Sequence, residues 1–294
     1  MKNKSFIASS FDLIKSRKEM VFVVTYSATL GTVIAGKGFP PITKSILVIS
    51  SLLMLNLSVY IYNDIIDRDM DSYSNQDKKK GRPIAHGVVS EKNAIKFVYI
   101  TGLLGLALSF LINISVFIFE LIYYIILLLY SYPGVRFKNM YIVKNLVTSL
   151  VLPTPYLISG VAIENRVSLS TLLIAISYFI LTFAMLPAAA DMLDYEEDLA
   201  FKVKTLGNTL SWKQNILLFN FGIIVIIASG IIAYRLLNTS YVVPVILTII
   251  GIPSMIYSYK IRNESGISAS YKLRPFGYIL SMSTPLIIAI STYF

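Results

Sequence analysis

Residues 45–71 read SILVISSLLMLNLSVYIYNDIIDRDMD, an apolar run from Ser45 to Ile66 that ends among Asn63, Asp64, Asp67, Asp69 and Asp71. At about 1.5 Å per residue the run crosses the roughly 30 Å hydrocarbon core of a bilayer, where uncompensated carboxylates are costly. It reads as a membrane-crossing helix that delivers a set of acids to one membrane face. Eight further apolar runs follow the same rule: Val21 to Ala35, Ala94 to Ile112, Ile114 to Tyr132, Ile142 to Ala162, Leu169 to Ala190, Asn215 to Tyr234, Tyr241 to Ile256 and Phe276 to Phe294. The stretch from Ala94 to Tyr132 is too long for one crossing, so a tight hairpin is placed at Asn113. The expected fold is an all-α integral membrane protein. Nine transmembrane helices form a bundle around a central cavity opening at the cytoplasmic face, in one domain over residues 1–294.

Composition agrees with this reading. The 294 residues are 55% hydrophobic and 14% charged, with a mean hydropathy of +0.69, which excludes a water-soluble enzyme. Cysteine is absent, so disulfides, thiolate zinc sites and a cysteine nucleophile are excluded. The formal charge of +10 resides between apolar blocks rather than on one soluble face. Anionic lipid headgroups or an anionic substrate, and not nucleic acid, are the expected partners.

Lys and Arg orient the chain. Residues 1–19 carry Lys2, Lys4, Lys15, Arg17 and Lys18 without a small-residue cleavage site, so they are expected to form a cytoplasmic N-terminal segment and no removable signal peptide. With nine crossings, 22 of the 26 Lys and Arg share that side, leaving Lys37, Lys44, Arg166 and Arg235 opposite. Phe294 is then expected on the non-cytoplasmic side. Fourteen of the 16 acids also fall on the cytoplasmic side; Glu120 and Glu164 are the exceptions, expected at the outer interface.

The acids concentrate in two loops, 67–93 and 191–213, and at the helix ends that lead into them. Asp64, Asp67 and Asp71 recur at i, i+3 and i+7, and so do Asp191, Asp194 and Asp198. At 100° per residue each trio lies on one helical stripe. Three such carboxylates repel one another unless a cation neutralises them, and all-oxygen ligand sets suit Mg²⁺. The equivalent positions of the two stripes predict that they face each other across one cavity. Cations follow closely: Lys78, Lys79, Lys80 and Arg82 after the first cluster, Arg136 and Lys138 after the turn at Tyr130 to Gly134, and Lys202 and Lys204 after the second. Lys78 and Lys79 read as ordinary positive-inside residues. Arg82, before Pro83, and Arg136 and Lys138 are the better candidates for phosphate oxygens.

These motifs resemble those of the UbiA-type intramembrane prenyltransferases along essentially the whole chain. Asn63, Asp64, Asp67 and Asp71 are similar to the family's Asn-Asp-x-x-Asp-x-x-x-Asp signature, followed by Arg82-Pro83-Ile84 and Gly87 in place of Arg-Pro-Leu-x-x-Gly. Asp191, Asp194, Asp198, Thr205 and Leu206 resemble its second signature. Tyr132 through Arg136 matches the Tyr-x-x-x-Lys element, with Arg136 where lysine is usual, and Asn145 stands where an amide is common. Glu197 and Lys202 stand where glycines are common.

The resemblance implies Mg²⁺-dependent transfer of a polyprenyl group from an allylic polyprenyl diphosphate, such as geranylgeranyl diphosphate, to a lipophilic acceptor in quinone or membrane-lipid biosynthesis. Its implied metal ligands are Asn63, Asp64, Asp67, Asp71, Asp191, Asp194 and Asp198. The implied diphosphate contacts are Arg82, Tyr132, Arg136, Lys138, Asn145 and Lys202, with Asp67, Asp194, Arg136 and Lys138 closest to the chemistry. An ion-coupled transporter is the alternative, because paired polar motifs in two halves of a bundle also describe carriers. Transporter sites lie near the midplane on interrupted helices, whereas these acids lie at helix ends.

Overall fold

The computed structural model describes residues 4–73, 81–200, 202–236 and 239–293, and every regular element among them is helical. In chain order these are α1 (Phe6–Ser16), α2 (Lys18–Ala35), α3 (Ile42–Ile66), α4 (Arg68–Tyr73), α5 (Glu91–Ile112), α6 (Ile114–Ser131), α7 (Tyr141–Ser149), α8 (Pro153–Glu164), α9 (Leu169–Ala189), α10 (Tyr195–Ala200), α11 (Leu206–Thr209), α12 (Trp212–Leu236), α13 (Val242–Lys260) and α14 (Gly266–Ser291). Single 3₁₀ turns occupy Phe137–Asn139 and Asp191–Asp194.

Seven of these helices are long and apolar enough to cross a membrane: α3, α5, α6, α9, α12, α13 and α14. The pair α7 and α8, bent by 42° at its junction, makes an eighth if it counts as one span. The 18-residue α2 carries Lys18 and Glu19 in its first turn and packs against α8 and α3. The outward surface is apolar: Leu103, Leu111, Leu217 and Ile249 are exposed, as suits lipid contact.

Local signals explain the boundaries. Asn113 has an extended backbone, and its side chain accepts a hydrogen bond from Val116 N (2.8 Å), which ends α5 and starts α6 where the hairpin was expected. Ser90 and Ser168 cap α5 and α9 in the same way. The fifth expected span, Ile142 to Ala162, is a helix broken before Pro153, whose missing N–H suits the first turn of α8. The break frees the carbonyl of Ser149, and Thr182 on α9 donates its hydroxyl to it (2.9 Å).

Two expectations are corrected. The last helix begins at Gly266, ten residues before Phe276, so Lys272 and Arg274 lie on a helix and not in a loop. Glu120 is buried inside the bundle, where Ser51 Oγ donates to its Oε1 (2.7 Å), and does not sit at an outer interface. A carboxyl with a hydroxyl donor at hand can be buried between two helices, which composition and span counting do not register.

Burial divides into two cores. Val24, Leu52, Ile61, Phe97, Leu127 and Ile158 belong to one, built on α2, α3, α5, α6 and α8. Tyr178, Phe219, Ile223, Leu247, Leu273 and Leu280 belong to the other, built on α9 and α12 to α14. The α2 helix serves both, with Val24 in the first and Leu30 in the second.

Candidate active site

Each acid set grows from the end of a long apolar helix. Asn63 and Asp64 occupy the last turn of α3, Asp67 follows that helix and Asp71 lies on α4. Asp191 and Asp194 form a 3₁₀ turn after α9, and Asp198 lies on α10. Neither trio is on one continuous helix, as the i, i+3, i+7 spacing suggested. Both chains bend as they leave the spans, and the bends still turn the acids inward: Asp64, Asp67, Asp71, Asp191 and Asp198 are all buried.

Buried carboxylates need partners, and each set has its own. Arg17, at the junction of α1 and α2, pairs with Asp64 through two nitrogens, Nε at 3.0 Å and a closer Nη2. Arg82 pairs with Asp71 and, at 3.0 Å, with Asp64. Lys138 pairs with Asp67, which Arg136 Nη2 approaches at 3.7 Å. In the second set Lys144 Nζ lies 3.5 Å from Asp191 and 3.3 Å from Asp198. Asn145 Nδ2 donates to Asp191 (2.7 Å), while its Oδ1 accepts from Leu206 N (3.2 Å). Leu206 follows Thr205, whose side chain and that of Asn208 form a capping box on α11.

The environment shifts the titrations of Asp198, Lys138 and Arg82. Burial pushes Asp198 up to about 6 against the pull of Lys144. Burial also lowers Lys138 despite Asp67. Burial opposes the charge on Arg82 too, but Asp64 and Asp71 outweigh it and raise the guanidinium further.

Between the two sets lies a cavity of about 260 Å³. Of the residues singled out from the sequence, Asn63, Asp67, Asp71, Arg82, Lys138, Asp194 and Asp198 line it. Asp64 and Asp191 stand behind these, buried and paired with the lining Arg82 and Lys144, and the buried Asn145 in turn holds Asp191. Arg136 adopts a left-handed backbone (φ 51°) and reaches Asp67 from outside the lining. Tyr132 and Lys202 are not brought in. The Tyr132 ring packs over Gly134 and is half exposed, and Lys202 is exposed on a left-handed turn. Lys78, Lys79 and Lys80 lie outside the described residues.

Arg17, Tyr60, Tyr130 and Lys144 line the cavity without having been singled out. One of them carried a signal: a lysine beside Asn145 at the start of an apolar run is an intramembrane cation, which is a site candidate in itself. Arg17 was masked by its neighbours Lys15 and Lys18, which share its charge but not its position.

The residues present fit a divalent cation by donor chemistry. The donors are hard oxygens, and Asn63 Oδ1 is ordered by the hydroxyl of Ser131 (2.5 Å). Among the described residues no three acidic side chains are gathered into a metal cluster; Lys138 pairs with Asp67, and Lys144 with Asp191 and Asp198.

The structure is thus a multi-pass helical membrane protein with carboxylates and cations converging on one cavity. The model of the UbiA prenyltransferase family matches residues 24–280, and the chain belongs to that family and is a prenyltransferase. It is similar to the digeranylgeranylglyceryl phosphate synthase of Pyrococcus horikoshii, at 25% identity over 201 residues that cover 68% of this chain and 69% of the relative. It is also similar to the 4-hydroxybenzoate octaprenyltransferase of a Shewanella species (strain ANA-3), at 30% identity over 118 residues, 40% of each chain. Among solved structures, one reported for digeranylgeranylglyceryl phosphate synthase superposes with a TM-score of 0.79, covering 98% of both chains at 20% identity. A UbiA homologue from Archaeoglobus fulgidus bound to DMAPP and Mg²⁺ gives 0.67, covering 94% of this chain and 99% of that one at 20% identity. These structural likenesses show the shared fold.

Proposed function

We propose that this prenyltransferase takes an allylic polyprenyl diphosphate as donor and a lipophilic acceptor, either an aromatic quinone precursor or geranylgeranylglyceryl phosphate. The observation that carries the reading is the meeting of both acid sets and their cations on one cavity. Among the described residues six carboxylates, Asp64, Asp67, Asp71, Asp191, Asp194 and Asp198, gather with five cations, Arg17, Arg82, Arg136, Lys138 and Lys144. A diphosphate adds several negative charges beside these carboxylates, and divalent cations would neutralise them.

Asn63, Asp67 and Asp71 on one side, with Asp194 and Asp198 on the other, are the residues that would hold Mg²⁺, with Asp64 and Asp191 supporting them. When bound, the metal supplies Lewis-acid stabilisation of the diphosphate leaving group. Arg82 and Lys138 donate to the diphosphate oxygens as the C–O bond breaks, and Arg136 adds charge from behind. Lys138 and Lys144, released from their carboxylates, are free to follow the phosphate oxygens. The Tyr60 and Tyr130 rings stand beside the cavity, where an aromatic face favours an allylic cation and apolar walls exclude water. In this reading nine crossings, with α2 and the bent α7–α8 pair included, put the N-terminus and the cavity mouth on the cytoplasmic side. The C-terminus lies opposite.

Purified protein in nanodiscs, given geranylgeranyl diphosphate and candidate acceptors, is expected to release diphosphate only with Mg²⁺. Asp67→Asn and Asp194→Asn are each expected to lose about 100-fold or more in turnover while eluting as the folded protein on gel filtration. Full turnover in both variants would remove the site assignment.

A further inference from the structure

The start of α14 at Gly266 places Arg274 about 12 Å along a helix that is otherwise apolar from there on. Its depth is fixed by neighbours: Ser270 Oγ donates to Ala188 O (2.6 Å), and Gly277 packs beside Ala189. Arg274 is therefore level with the end of α9, where the second acid set begins. A guanidinium at that depth on an outer helix is costly without an anionic partner. Lys272, close by, has Glu264 at 2.7 Å. Arg274 has no carboxylate partner among the described residues; its Nη2 donates to the Tyr278 hydroxyl (3.2 Å), and its guanidinium stands 5.4 Å from that ring centre.

Tyr271, Arg274 and Tyr278 form one stripe at i, i+3 and i+7, and both tyrosines are exposed. One turn further, Met282 O accepts from Tyr26 of α2 (2.6 Å), which ties α14 to α2 beyond the stripe. Inward, α14 packs against α9 and against the 3₁₀ turn that bears Asp191 and Asp194, and Asp194 lines the cavity. The stripe thus has an exposed surface on one side and the second acid turn behind its helix. The cations paired with the acid sets among the described residues are separate from it, so an anion held at Arg274 is a second one, distinct from the donor diphosphate.

We propose that Arg274, flanked by Tyr271 and Tyr278, binds the phosphate of an anionic lipid acceptor and so selects a phosphate-headed lipid over an uncharged one. The proposal rests on the prenyl-transfer reading above and specifies its acceptor. The phosphate accepts N–H bonds from the guanidinium, the tyrosine hydroxyls add donors, and the acceptor's hydroxyl, a few bonds from the phosphate, is held at the flank of the cavity. The tail stays in lipid, as an outer site at this depth requires.

The test uses full-length protein in phosphatidylcholine nanodiscs with geranylgeranyl diphosphate as donor. Geranylgeranylglyceryl phosphate is compared with its dephosphorylated counterpart and with 4-hydroxybenzoate. Arg274→Gln is expected to raise KM for the phosphorylated lipid on the order of ten-fold or more, with a much smaller change in kcat and none in KM for the donor. Arg274→Lys restores part of the loss, and the dephosphorylated lipid does not discriminate between variant and parent. Equal KM values for parent and Arg274→Gln on the phosphorylated lipid overturn the proposal. So does a parent that prenylates only 4-hydroxybenzoate, which leaves the prenyl-transfer reading intact; a parent that turns over none of the three overturns that reading as well. If phosphatidylglycerol added to the discs changes activity through Arg274 while acceptor KM does not depend on it, the site belongs to bulk lipid and the proposal also falls.

Discussion

Lys144 shows what a single side chain contributes here. It sits on α7, nearly buried, between Asp191 and Asp198, and pairs with both. Lys144→Met removes the charge that these two buried carboxylates share, a change of about 3–5 kcal/mol when one partner of a buried pair is removed. A large fall in the detergent melting temperature is expected, together with loss of prenyl transfer; an unchanged melting curve would show that the pairing carries little weight. The carboxylates themselves were legible from spacing, because i, i+3, i+7 survives as a pattern even where the helix breaks. Their partners were not. Arg17 meets Asp64 across 47 positions, and Lys144 meets Asp198 across 54, and no local rule links residues so far apart.

At the scale of elements, the short α11 helix sets the depth of the second acid turn. Gly207 in it has no room for a methyl: a Cβ there meets Asp191 Cβ at 2.4 Å and the carbonyl of Pro187 at 2.9 Å. Both are attached to backbone and cannot swing aside. Gly207→Ala is expected to cost about 1–3 kcal/mol through overpacking and to displace Asp191 from Lys144 and Asn145. Its signature is reduced stability joined to a weaker response to Mg²⁺, read by titrating the metal against turnover. Helix existence and the Asn113 hairpin were readable from apolar runs and a capping residue. The start of α14 was not, because Lys272 and Arg274 look like loop residues until the helix is seen to carry them along its outer face.

For the molecule as a whole, the orientation proposed from the basic residues is directly testable, because the sequence has no cysteine. Single cysteines placed at Arg166 and at Lys204, both exposed, are expected to label oppositely: a membrane-impermeant maleimide applied to intact cells reacts with Arg166→Cys and spares Lys204→Cys. Labelling of both, or of Lys204→Cys alone, would reverse or break the proposed orientation. The sequence by itself determined the class of fold and the identity of the acids, because span length and short-range periodicity are local properties of the chain. Only the tertiary structure decided which cations neutralise which acids, that Tyr130 rather than Tyr132 faces the cavity, that Glu120 is interior, and that Arg274 lies on a helix and not in a loop. Each of these depends on how separate helices rotate and bend against one another, and that is fixed by long-range packing rather than by any stretch of sequence read alone.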